Sequence, residues 1–201
     1  MAHVLTPKGR ATRARIVVGA AEVLRETGLT ATLDDIRERT HASKSQLFHY
    51  FPGGREELLL AVAHYEADRV LDDQQPYLGQ LDTWEAWYQW RDTVVERYAE
   101  QGDTCSLGAL LKQVGFASQG TQAVVSELMR TWQNHIADGM RALQNSGRLP
   151  DAFDVDTAAA ALLAGLQGGV ALLLSTGQIT HLEAALDWAI AQLRAADQTA
   201  V

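Results

Sequence analysis

Lys44, Ser45, Gln46 and His49 fall close together in one stretch, HASKSQLFHYF at positions 41–51. An ammonium reaches phosphate or a guanine edge, a carboxamide matches the paired donor and acceptor of adenine, and hydroxyl and imidazole hydrogen-bond to either. The same stretch has a plainer reading. Ser43 and Gln46 form the S-x-x-Q pattern of a capping box, Lys44 is then a solvated charge, and Leu47, Phe48, Tyr50 and Phe51 are core.

The rest of the chain supplies little for catalysis. Its six histidines are scattered, without the i, i+4 pair of a zinc helix, and no phosphate-cradling glycine loop or nucleophile elbow occurs. No metal and no cofactor are therefore expected, and no enzyme. A single cysteine, Cys105, rules out an internal disulfide framework and suits a reducing, cytoplasmic location.

Charge divides the chain. Residues 1–64 hold nine Lys/Arg against seven Asp/Glu, whereas residues 65–201 hold eight against eighteen, within a net charge of -8. Lys8, Arg10, Arg13 and Arg15 precede the first acid, a footprint suited to phosphate or equally to a solvated tail. Alanine, leucine, glutamate, glutamine and arginine dominate and only four prolines occur, so the expected fold is all-α.

The elements that must position the polar cluster follow from periodicity and punctuation. A first helix is expected from about Arg10 to Glu26, closed by Gly28. Thr32 with Asp35 opens a second helix, Ser43 with Gln46 a third, and only Thr40–Ala42 separates them, the length of a helix-turn-helix corner at about 33–52. Pro52-Gly53-Gly54 stops the third helix, and a long fourth helix runs from about Arg55 to Asp73. Further helices are expected at 84 onward, 106–117, 120–146, 154–176 and 180–196. In such a corner the second helix lies in the major groove of DNA with its first turns toward the bases.

Residues 13–63 resemble the N-terminal DNA-binding domain of the TetR family of bacterial transcriptional repressors. The matching features are Ile16 with Ala20-Ala21, Gly28 with Thr32, Asp35-Ile36, Ser43-Lys44, Leu47 followed by Phe48-His49-Tyr50-Phe51, and Glu56-Glu57-Leu58. The resemblance implies a three-helix head at 10–71 joined to a larger helical body at 72–201 that dimerises and binds an effector, about nine helices in all. It puts Thr32, Tyr50 and Arg55 on phosphate, and Lys44, Ser45, Gln46 and His49 in the groove. Three positions depart from the family pattern. Phe48 replaces a usual tyrosine, His41 a usual turn glycine, and the doubled Gly53-Gly54 shifts Arg55 by one residue.

In the body, Trp87, Trp90, Phe116, Trp132 and His135 are the expected lining of a pocket for an uncharged lipophilic molecule. The run at 158–174 is 17 residues without a charge, just short of the roughly 20 that span a bilayer. A buried interface helix is expected, not a membrane span. Paired with 182–194 it should form a four-helix homodimer interface through Gly165, Gly169, Leu172, Leu186 and Ile190. The expected partners are thus an operator in double-stranded DNA, a second copy and a small-molecule effector. Two rivals remain, a helical small-molecule-binding protein or enzyme that does not bind DNA and a membrane-associated protein using residues 158–174.

Overall fold

The computed structural model describes residues 5–102, 105, 106, 108 and 119–197. Among these residues it holds eight α-helices and no strand: α1 Pro7–Thr27, α2 Leu33–Thr40, α3 Lys44–Tyr50, α4 Arg55–Asp72, α5 Trp84–Gln101, α6 Gln119–Asn145, α7 Val155–Thr176 and α8 Thr180–Ala195. Single 3-10 turns occupy Gly28–Thr30 and Tyr77–Gly79. The helix expected at 106–117 lies almost wholly outside the described residues.

α1 begins earlier than periodicity suggested. Thr6 caps it, its hydroxyl accepting the Gly9 N–H at 3.1 Å, and Pro7 takes the first helical position, where no N–H is needed. It ends at Gly28, whose φ of 66° a side chain would resist and whose N–H reaches the Leu24 carbonyl.

The described residues gather into two compact units, one of 5–69 with 119–126, the other of 70–108 with 127–197. In the first, Ile16, Ala20 and Leu24 of α1 meet Ile36, Leu47, Phe51, Leu58 and Val62 in one apolar cluster. α1 and α2 approach closely because Gly19 lacks a side chain. A Cβ there would stand 2.4 Å from Thr40 Cγ2. Arg39 of α2 then forks onto Glu26 of α1, at 3.0 and 2.6 Å.

The second unit is built on tryptophans and leucines. Trp87 and Trp90 pack edge to face at 5.8 Å, and Trp132, Ile136, Met140, Leu166, Val170 and Leu186 are buried with them. α7 packs on α8 at Gly169, where an added Cβ would sit 2.5 Å from Leu182 Cα. Arg91 of α5 grips Asp187 of α8 with two bonds, at 2.7 and 3.0 Å. At 22 residues and a mean hydropathy of 1.8, α7 is long and apolar enough to cross a membrane, although one face of it packs against α8.

Candidate nucleic-acid interface

Helices α2 and α3 are short, so their ends decide whether they form at all. Both carry complete capping boxes. Thr32 Oγ1 accepts the Asp35 N–H at 3.2 Å, and Asp35 Oδ2 accepts the Thr32 N–H at 2.8 Å and its hydroxyl at 2.7 Å. Those bonds from the Thr32 backbone and side chain hold the Asp35 carboxyl below its usual pKa. At α3, Ser43 Oγ accepts the Gln46 N–H at 3.1 Å, while Gln46 Oε1 accepts the Ser43 N–H at 3.0 Å. Each box thus satisfies the backbone donors of its N-cap and of the third helical residue.

The corner between them turns on His41, the one non-glycine among the described residues with positive φ, at 50°. Its N–H and that of Ala42 return to the carbonyls of Glu38 and Arg37. Left-handed backbone costs a histidine roughly 1 kcal/mol that glycine does not pay, partly offset by glycine's freer unfolded chain. His41→Gly should therefore raise thermal stability by about 0.5 kcal/mol, read as a higher melting midpoint; a lower midpoint would contradict this view of the turn.

α3 is fastened from one side and open on the other. Leu47 and Phe51 are fully buried, and the Arg13 guanidinium lies 5.0 Å from the Phe51 ring centre. Lys44, Ser45, Gln46 and His49, the four residues expected to face the groove, are each exposed. Tyr50 is half-buried, its ring edge-on to His49 at 4.9 Å. Arg55 at the start of α4 donates to the Ala31 carbonyl at 3.3 Å, beside exposed Thr32. Phe48 is 43% exposed with its ring over Gly54, so it is not part of the core as the plainer reading required.

The aromatic residues of the second unit sort differently from expectation. Trp87 and Trp90 are fully buried with their indole N–H groups occupied, by the Leu81 carbonyl at 3.1 Å and Gln74 Oε1 at 2.9 Å. They are structural posts rather than open pocket wall. Trp132 is fully buried as well, His135 is half-buried, and Phe116 lies outside the described residues. An apolar groove of about 270 Å³ opens elsewhere, lined by Met140, Phe153, Ala161, Leu162, Gly165 and Trp188 among others, and none of the expected pocket residues lines it.

The expected interface set also needs correction. Leu186 and Ile190 are buried within the chain, and Gly169 is pressed on Leu182, so these three join α7 to α8 rather than to a second subunit. Leu172 is 43% exposed and Gly165 half-buried. Trp188, missed because it reads as one more amphipathic-helix residue, is 65% exposed. Cys105 is buried, its Sγ accepting the Gly108 N–H at 3.1 Å. Among the described residues no cluster of His, Cys, Asp or Glu is placed to hold a metal ion.

A capped two-helix corner with an open polar face on its second helix, in an all-helical chain, defines a helix-turn-helix protein. Residues 16–62 match the model of the bacterial regulatory proteins of the tetR family. The match covers the head alone, which is thus of the kind found at the N-terminus of tetR-family regulators. The chain is 31% identical over 90 residues to an uncharacterised HTH-type transcriptional regulator of Mycobacterium tuberculosis, a match covering 44% of this chain and 43% of the relative. The match thus spans less than half the length of that curated relative. The whole-chain fold is similar to that of a TetR transcription regulator from Haloarcula marismortui, with a TM-score of 0.78 at 17% identity, covering 94% of this chain and 100% of the other. A TetR-family regulator from Cytophaga hutchinsonii gives 0.75 at 16% identity, covering 98% and 100%. SmeT in complex with triclosan gives 0.71 at 18% identity, covering 90% and 91%.

Proposed function

We propose that the protein is a homodimeric, effector-responsive regulator of transcription, a repressor that leaves a palindromic operator when a lipophilic inducer binds its body. The observation that carries this reading is the open face of α3. Four exposed groups able to read or grip DNA stand on a helix fastened by fully buried Leu47 and Phe51. Lys44, Ser45 and His49 are the groove-facing set with Gln46, and Thr32, Tyr50 and Arg55 the phosphate set. An acidic remainder, eight Lys/Arg against eighteen Asp/Glu over 65–201, repels DNA and leaves contact to the head. Lys44→Ala with Gln46→Ala should abolish operator binding in a mobility-shift assay while the dimer persists; undiminished binding would refute the assignment. Without salt-sensitive DNA binding, the rival small-molecule carrier would be the better description.

The second copy is read from what α7 and α8 leave open. Ala161, Ala164, Gly168 and Leu172 of α7, with Trp188 and Ala191 of α8, form an exposed face of small and apolar residues. Such a face in water is stabilised by burial against its like, and a two-fold pairing repeats it on both subunits. Leu172→Asp with Trp188→Glu is expected to halve the mass measured by light scattering, with helicity retained. A variant still dimeric would move the interface elsewhere. SmeT's complex with triclosan supports a body of this fold that takes a small molecule.

A further inference from the structure

Among the described residues four large apolar side chains stand exposed, and Phe48 is the one that lies in the head. Leu172 and Trp188 belong to the face of α7 and α8 described above, and Tyr88 to α5. Phe48 belongs to α3, whose other exposed residues are Lys44, Ser45, Gln46 and His49. It stands outside the apolar cluster that takes in Leu47 and Phe51, with 43% of its surface open to water. A lone exposed ring is common on protein surfaces, so its place on the helix decides what it does.

At about 100° per residue, Phe48 sits roughly 40° round α3 from Lys44 and roughly 60° from Ser45. Residues three and four apart are neighbours on a helix, so the ring borders two of the residues assigned to the groove. Behind it the turn that follows α3 carries no side chain at Gly54, where φ is 67° and an added Cβ would lie 3.7 Å from Phe48 Cε1. The ring is thus backed by bare backbone and has one apolar surface to offer.

Its chemistry limits what that surface can meet on DNA. Phenylalanine carries no donor or acceptor, so it makes no hydrogen bond to phosphate, and the negative face of its ring does not attract an anion. In the major groove one group on the base edges is apolar, the C5-methyl of thymine. We propose that Phe48 is a specificity residue that packs against a thymine C5-methyl and selects thymine over cytosine at that position. This rests on the DNA-reading assignment of α3 above, and it adds a base that the polar residues do not specify.

The test uses the full-length protein and the duplex it recovers from a random-sequence pool, remade with deoxyuridine in place of thymine, position by position and in both half-sites. Deoxyuridine keeps every donor and acceptor of thymine and lacks only the methyl. At one position the exchange should weaken binding on the order of tenfold, as the loss of two buried methyl groups implies. Phe48→Ala should bind the thymine and deoxyuridine duplexes equally, and Phe48→Leu, which keeps an apolar end, should retain part of the preference. Where Phe48→Ala binds too weakly to measure, a reduced preference in Phe48→Leu supports the contact and an unchanged one refutes it. No thymine whose methyl matters, or a preference undiminished in Phe48→Ala, would overturn the proposal, while steeply salt-dependent binding of the same duplex would leave the DNA reading of α3 standing. Recovery of no duplex would overturn both.

Discussion

Replacing Glu66 by alanine should destabilise the protein by roughly 3–5 kcal/mol, the largest single effect on folding that the structure implies. Glu66 sits on α4 with no exposed side-chain surface, and Arg25 of α1 meets it through Nε at 2.9 Å and a terminal nitrogen at 2.8 Å, with only 15% of the arginine exposed. Removing the carboxylate leaves a largely buried cation with its main opposite charge gone. That penalty, rather than the worth of the pair, sets the size of the effect. A domain holds only about 5–15 kcal/mol in total, so Glu66→Ala is expected to approach the limit of folding. Arg25→Met with Glu66→Met should recover most of the loss, since an apolar pair of similar volume has no charge to desolvate. Chemical denaturation of the wild type and the two variants measures both quantities, and a Glu66→Ala cost below about 1 kcal/mol would show that the pair is solvated after all.

Gln46→Glu should cost operator affinity on the order of a hundredfold while leaving stability unchanged or slightly raised. The two consequences differ because the proposed reading gives Gln46 a second task beside its cap. Its Oε1 accepts the Ser43 N–H and completes the box that starts α3. A glutamate keeps that acceptor and adds a negative charge in the first turn, where the helix dipole favours it. At the DNA face the same charge loses the amide donor and repels phosphate. One bidentate base contact is worth about 1–3 kcal/mol, and repulsion adds to it. Gln46→Ala, by contrast, should lose stability and affinity together. If Gln46→Glu bound the operator as well as the parent, Gln46 would be a cap only, and base reading would fall to Lys44, Ser45 and His49.

Those two residues mark the limit of what sequence conveys. Ser43 and Gln46 are three positions apart, so their bond is written in the local pattern, as are Thr32 with Asp35 and the stop at Gly28. Arg25 and Glu66 are 41 positions apart, and nothing local announces that they meet. Even Thr6-Pro7, a strong helix start, was hidden because the apolar repeat that draws attention begins later, at Ile16.

The body was less legible for a physical reason. α7 is apolar nearly all round, so periodicity cannot say which face turns inward, and glycines at 165, 168 and 169 look alike in the sequence. Packing separates them: Gly169 is pinned on Leu182, Gly165 rests near Ala185, and Gly168 meets nothing within 4 Å. The same ambiguity assigned Leu186 and Ile190 to an interface and passed over Trp188. α5 carries tryptophans at 84, 87 and 90, and only the hydrogen bonds distinguish posts with occupied N–H groups from Trp132, whose donor is unmet.

The central claim is that the open face of α3 reads DNA. Its most direct measurement is the affinity of the wild-type protein for an inverted repeat from the DNA beside its own coding region, against a scrambled duplex of the same length, over a series of salt concentrations. The account predicts preference for the repeat by about a thousandfold or more, with affinity falling steeply as salt rises. Equal affinity for both duplexes, or binding indifferent to salt, would contradict it.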